Sequence, residues 1–503
     1  MRLLRHTLLF AASLTAIPFY AQRPGGPGLP GQPGPLTEHY RADATRILAA
    51  ADADTDGYAA LAYLCDHIGN RSSGSPQLNA AVQWGAGLMR KAGLDNVTVQ
   101  PVTVPHWVRG QEEASILAPV RRRLHMLGLG MSVGTPPEGI TAPVVFVHDF
   151  KELDALPADA VRGKIVVFNP GWHGYGVGTN YRTNGPSRAA SKGAIAVLVR
   201  SATGLALETP HTGMLEYDPA QPKVPAAGIS VEDALLIERL AKEGPVEIHL
   251  QMDAHFEPDV ESGNVVGEIT GSEHPDEVVV IGGHIDSWDV GQGAQDDGSG
   301  IMATFEAVSL LHKLGLRPRR TIRLVFWVSE ENGSAGSMVY RDRLSPAAVR
   351  KHVAAIEMDG GAERPMGIGY GGFRVRPGPP PVPGAAPVLT PPAFDPKTLS
   401  AEQQKSFNIL EQIAALLEPI GANRVFPGGG GEDIEPLAAQ GVPPLSPHTV
   451  GEHYFDWHHS EADTLDKVDL LDFRRNIALL AVTTYILADS DEMLTGQVSS
   501  DAP

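Results

Sequence analysis

One short run constrains this chain more than any other: Val278-Val279-Val280-Ile281, followed by Gly282-Gly283-His284-Ile285-Asp286-Ser287. An unbroken apolar run rich in valine fits a strand buried on both faces, as in a parallel sheet. The two glycines then open the backbone at the strand's carboxyl end, where open α/β sheets carry their chemistry. His284 is presented at the mouth of such a site. Asp286, two residues on, is placed to orient its imidazole.

The flanking sequence supplies the rest of that sheet. Helix Gly300 to Leu314, strand Thr321 to Val328, helix Ala335 to Leu344 and strand Val353 to Met358 alternate regularly. This is the pattern of a sheet covered by helices, so the expected class is α/β, a mostly parallel-centred mixed sheet flanked by helices. At 503 residues the chain exceeds one ordinary core, and roughly two or three domains are expected. Residues 37–126 read as helix, Gly/Ser loop, helix and strand, the N-terminal part of the main domain. Pro101 marks that strand as an edge. Residues 127–256 change to strand-like runs such as Gly163-Lys164-Ile165-Val166-Val167-Phe168. They read as an inserted β-rich domain without a cluster of ligand-type residues. The main domain resumes over 257–490, and 491–503 form a tail.

The N-terminus carries Arg2 and Arg5 ahead of an apolar stretch from Leu8 to Phe19, which reads as a secretory signal ending at residue 21. An exported protein, periplasmic or secreted, is expected. Residues 22–36, rich in glycine and proline, read as a flexible linker. No stretch is long and apolar enough for a stable membrane span. The single cysteine, Cys65, excludes an internal disulfide and reads as a buried small hydrophobe. A net charge of -19 argues against nucleic acid or an anionic membrane as partner.

In the resumed domain, His and carboxylate residues gather where strands end. His284 follows the first strand. Asp296 and Asp297 lie in Gly293-Ala294-Gln295-Asp296-Asp297-Gly298-Ser299-Gly300. Glu330 and Glu331 follow Leu324-Val325-Phe326-Trp327-Val328, Asp359 follows Ala355-Ile356-Glu357-Met358, and His459 lies in His458-His459-Ser460-Glu461-Ala462-Asp463-Thr464. Each group alone fits a helix cap or a surface charge. Together they would crowd negative charge at one sheet edge, which is costly unless a cation compensates it. Histidine and carboxylate donors in this mix suit zinc better than cobalt or manganese. Of Glu330 and Glu331, one carboxylate can bind a metal while the other takes a proton from water. Of Asp296 and Asp297, one can bridge two metals.

In this order, His-x-Asp-Ser, Gly-Ala-Gln-Asp-Asp-Gly-Ser-Gly, Ser-Glu-Glu-Asn-Gly, Glu-Met-Asp-Gly and His-Ser-Glu-Ala-Asp-Thr resemble the M28 family of dizinc exopeptidases. Val104-Pro105-His106-Trp107-Val108-Arg109-Gly110, with the inserted block, resembles its carboxypeptidase Q-like branch. The resemblance spans about residues 40–490 and implies the zinc exopeptidase fold with an inserted protease-associated domain. It implies two zinc ions per chain, with Asp296 bridging them, His284 and Asp359 completing one site, and Glu331 and His459 the other. Glu330 would be the general base. Asp286, Asp297 and Asp463 would support the ligands from behind, and the Asp296–Asp297 peptide would be cis. The implied substrate is a dipeptide or short peptide, and a homodimer is implied as well. Tyr454, Phe455 and Trp457 are candidates for the substrate pocket. His458 is left between supporting a ligand, touching substrate and facing solvent. Gly428-Gly429-Gly430-Gly431 reads as a loop near the site, with Asp433 holding a turn. Two other readings are a glutaminyl-cyclase-like acyltransferase with a single zinc and a binding module that has lost catalysis.

Overall fold

The computed structural model describes residues 28–371 and 399–496. The expected signal segment, the first part of the linker, the Pro-rich stretch Arg374 to Pro396 and the end of the tail lie outside the described residues.

The run Val278-Val279-Val280-Ile281 sits in strand His274–His284, near the centre of a nine-stranded mixed sheet. Val279 and Ile281 point into one apolar core and Val278 and Val280 into another, so both faces are covered. That is why the run is continuously apolar rather than alternating. Its neighbours Arg320–Trp327 and His352–Glu357 are both parallel to it, and Pro444–Thr449 extends the parallel set. Helices Ser299–Lys313, Leu470–Asp489, Pro35–Asp52 and Pro76–Lys91 contribute to the larger core. Helix Ala335–Asp342 and the segment Ile434 to Leu437 cover the opposite face. Asp95–Val108, the strand with Pro101, lies at one edge as expected.

A second, eight-stranded sheet belongs to the inserted domain. Its centre, Ile140–Val147, Ile165–Phe168, Ala196–Arg200 and Ala226–Ile229, is parallel. Helices Tyr175–Ser191 and Val231–Glu243 accompany it. Its extent differs from 127–256. Strands Glu112–Ala118 and Arg122–Leu124 hydrogen-bond within the second sheet, not the first. The change of sheet falls in the turn after Val108, because strands Asp95–Val108 and His255–Ile269 run as one antiparallel ribbon between the two sheets.

The linker expected over 22–36 is not free along its described part. Leu29–Pro30 pairs with Val425 and Arg424, Gly31 donates to the Asn423 carbonyl at 2.7 Å, and Pro35 opens a helix. Pro30 fits an edge strand and Pro35 the first turn of a helix, since neither place needs a backbone donor from it. Among the described residues no helix is long and apolar enough to cross a membrane.

Candidate active site

The parallel strands deliver the candidate residues to one edge of the large sheet. His284 ends its strand, Glu330 and Glu331 follow Arg320–Trp327, and Asp359 follows His352–Glu357. Asp296 enters from the loop before helix Ser299–Lys313, and its peptide bond to Asp297 is cis. His459 comes from the segment after Tyr454–Trp457.

Asp296 lies between two pairs. Its Oδ1 is 3.3 Å from His284 Nε2, which is 3.5 Å from Asp359 Oδ1. Its Oδ2 is 3.2 Å from His459 Nε2, which is 3.0 Å from Glu331 Oε2. Glu330 Oε2 stands 4.0 Å from His284 Nε2. His458, whose direction the sequence left open, turns inward. Its Nε2 is 3.3 Å from Asp296 Oδ2, and its ring stacks on His459 at 3.6 Å.

The donor set fits divalent metal. His284 Nε2, Asp296 Oδ2 and Glu331 Oε1 are buried, yet none has a hydrogen-bond partner. Such atoms are costly to leave unpaired unless something binds them. Ligand-type atoms of His284, Asp296 and Glu331, and of Asp296, His458 and His459, lie within 4.8 Å of one another. The charges agree. Burial would lower the His284 pKa, but Asp296, Asp359 and Glu330 raise it well above the usual value. Burial likewise opposes charge on Asp296, but His458, His284 and His459 hold it well below the usual carboxylate range. Burial, then Glu432, pushes Glu330 well up. Burial pushes Glu331 to about 7.

The supporting groups are themselves buried. Asp463 accepts from the amides of Gln295 at 2.7 Å and Asp296 at 3.2 Å, fixing the loop that carries Asp296. Asp297 accepts from the amides of His284 at 3.2 Å and Gly300 at 3.1 Å. Gly283 is required here, since a Cβ would run into the Asp297 carboxylate. His284 Nδ1 meets the Asp286 backbone carbonyl at 3.1 Å and stands 3.8 Å from the Asp286 carboxylate, which also accepts from the amides of Glu330 at 3.2 Å and Glu331 at 3.3 Å. A fully buried carboxylate needs donors, and this turn offers adjacent ones. Ser329, just before Glu330, and His459 both have left-handed backbones, φ 64° and 61°. That conformation costs a non-glycine residue about 1–3 kcal/mol and gathers at functional sites.

The expected pocket residues separate. Tyr454 is buried against His458, at 4.9 Å between ring centroids. Trp457 stacks on His453 and lies near Lys467. Phe455 instead stacks at 4.5 Å on Tyr175 of the inserted domain, with Trp172 beside it. The glycine loop does reach the site's rear, but Asp433 does not hold the turn. Glu357 does, accepting from the amides of Asp433 at 3.4 Å and Ile434 at 2.9 Å.

Sequence reasoning missed the inserted domain's share of the site. Arg182 Nη1 is 3.3 Å from His459 Nδ1. The buried His211 imidazole bonds the His458 carbonyl at 2.6 Å, and burial holds its pKa down to about 4. No local motif marks these residues. They stand singly in a stretch without clustered ligands.

The model of peptidase family M28 matches residues 264–484, and that of the PA domain matches 140–237. Carboxypeptidase Q of Mus musculus is 40% identical over 438 residues, which cover 87% of this chain and 86% of that one. Carboxypeptidase Q of Homo sapiens is 40% identical over 443 residues, covering 88% and 87%. Among solved structures, a peptidase M28 precursor from Shewanella amazonensis superposes with a TM-score of 0.81 at 31% identity, covering 92% of this chain and all of that one. A zinc aminopeptidase from Bacillus subtilis shares the fold, with a TM-score of 0.62 at 20% identity over 86% of this chain and 95% of its own.

Proposed function

Because this chain belongs to peptidase family M28, we propose that it is an exported two-zinc exopeptidase acting on dipeptides or short peptides. The observation that carries the proposal is Asp296, with one carboxylate oxygen 3.3 Å from His284, which is beside Asp359, and the other 3.2 Å from His459, which is beside Glu331. His284, Asp359 and Asp296 would hold one zinc, and Glu331, His459 and Asp296 the other. When bound, zinc polarises the scissile carbonyl and lowers the pKa of water toward about 7.

The chain's own residues do the rest. Glu330 takes a proton from the water that attacks the peptide carbonyl and returns it to the leaving amine as the C–N bond breaks. Asp286, through the amides of Glu330 and Glu331, keeps both carboxylates at the turn. Asp463 keeps Asp296 between the two pairs. Both pairs being complete favours two-metal hydrolysis over a single-zinc acyl transfer, and the presence of Glu330 favours catalysis over a binding module.

The 40% identity to proteins named carboxypeptidase Q supports cleavage that requires a free carboxyl terminus. Export rests on the signal-like N-terminus, Arg2 and Arg5 before the apolar stretch. The test is hydrolysis of a dipeptide set by the zinc-loaded mature protein, with amino-blocked and carboxyl-blocked versions. Loss on carboxyl blocking is the expected result. Loss on amino blocking alone would make the enzyme an aminopeptidase, and no hydrolysis of any member with two zinc ions bound would remove the proposed activity.

A further inference from the structure

We propose that the inserted-domain loop His211–Gly213 is a clasp that positions His459, coupling docking of the inserted domain to metal occupancy at the His459–Glu331 pair. This rests on the reading of His459 as a metal ligand and adds the groups that hold it in place.

The observations come from backbone and side chain together. His459 is in the left-handed conformation, which its own residue type does not favour, so neighbouring contacts must maintain it. Those contacts are made by a segment 247 residues earlier in the chain. The Thr212 amide donates to the His459 carbonyl at 2.9 Å. The His211 Nδ1–H donates to the preceding carbonyl, that of His458, at 2.6 Å. His459 Nδ1 faces the Thr212 carbonyl at 3.4 Å. An imidazole that gives Nε2 to a metal keeps its proton on Nδ1, and the partner of that N–H fixes the ring's orientation. Thr212 offers that acceptor; Arg182 Nη1, 3.3 Å from the same nitrogen, has only protons to give and itself donates to the Thr212 carbonyl at 3.1 Å.

The loop is itself tied down. The His211 amide donates to Ser201 Oγ at 2.9 Å, Thr212 Oγ1 donates to the Gly128 carbonyl at 2.7 Å, and the Gly130 amide donates to the Gly213 carbonyl at 3.0 Å. Gly213 has φ +128°, and a Cβ there would run into the Arg182 guanidinium and lie 2.7 Å from His459 Nδ1. The clasp therefore transmits the position of the second sheet to one metal ligand. By reciprocity, metal on that ligand strengthens the hold on the loop.

The experiment is a zinc titration of the chelated mature chain by chelator competition. It compares wild type with His211→Ala, His211→Asn, Gly213→Ala and His459→Ala, each checked for native circular dichroism. His211→Ala and Gly213→Ala are expected to weaken one of the two zinc ions about 10–100-fold and leave the other unchanged. His211→Asn, whose amide can donate to the same carbonyl, is expected to recover most of the affinity. Wild-type affinity for both ions in His211→Ala and Gly213→Ala, with one ion lost in His459→Ala, would overturn the clasp alone. Both ions retained in His459→Ala would withdraw the ligand reading, and the clasp with it. Amide hydrogen exchange on the wild type gives a test independent of any variant. Zinc is expected to slow exchange at Thr212, and an unchanged rate would overturn the coupling.

Discussion

Asp463→Asn isolates one support of the candidate site without touching a proposed ligand. Asp463 is 3% exposed, and its carboxylate accepts from two consecutive amides, Gln295 at 2.7 Å and Asp296 at 3.2 Å. Asparagine has one oxygen at this end. If that oxygen keeps the shorter bond, its NH2 group faces the Asp296 amide, donor against donor. Burial raises Asp463 to about 7, so at pH 8 it is the charged acceptor; there a hydrogen bond to it contributes about 1.5–3 kcal/mol, and losing one frees the Asp296 loop by about that much. Carried through to metal binding at about 1.4 kcal/mol per decade, this is roughly a 10–150-fold loss of zinc affinity. Because Asp296 faces both pairs, both zinc ions should weaken together, unlike the one-sided effect expected of the clasp. Chelator competition on the folded variant reads both constants. Wild-type affinity at both sites, or loss at only one, would refute the reasoning that Asp463 acts through a bridging Asp296.

Three further outcomes follow from the same geometry. Glu330→Gln should keep both zinc ions and lose about 10²–10⁴-fold in turnover, read by metal analysis and dipeptide kinetics on one sample; full turnover would remove Glu330 from proton transfer. Asp359→Ala should bind one zinc less than wild type, and an unchanged metal count would contradict its place beside His284. Glu306, behind the sheet, is raised by burial from 4.5 to about 7, with one oxygen on Lys313 at 2.9 Å. A carboxyl raised on folding supports stability below its unfolded pKa and loses that support as pH rises through the folded value. Glu306→Gln should therefore melt like wild type near pH 4.5 and be more stable by up to about 3 kcal/mol above pH 8; equal melting at both pH values would contradict the burial argument.

The residues easiest to find in the sequence were those standing at the ends of buried parallel strands. There the apolar run, the glycine opening and the ligand are contiguous, as at Val278 to His284. His284, Glu331 and Asp359 each have such a run before them, and the structure brings them together around Asp296. What stayed hidden depended on main-chain groups, which every residue has. Asp286 was expected on His284 by proximity; what the sequence did not show is that its carboxylate also takes the Glu330 and Glu331 amides. Thr212 reaches His459 through its own amide and carbonyl, so its side chain gives no sign of the role. The start of the second sheet was hidden for another reason. Glu112–Ala118 follows the ribbon Asp95–Val108 in the same strand-like pattern, and only its hydrogen-bonding partner shows which sheet it joins. Trp457 reads as a pocket residue beside His458, yet the turn it ends points its ring to His453.

The central claim is a pair of metal sites sharing Asp296. The most direct measurement adds zinc stepwise to the chelated mature chain and follows dipeptide hydrolysis against equivalents bound. Hydrolysis is expected to rise to a plateau at two zinc ions per chain. A plateau reached with one, or full hydrolysis with none, would contradict that claim.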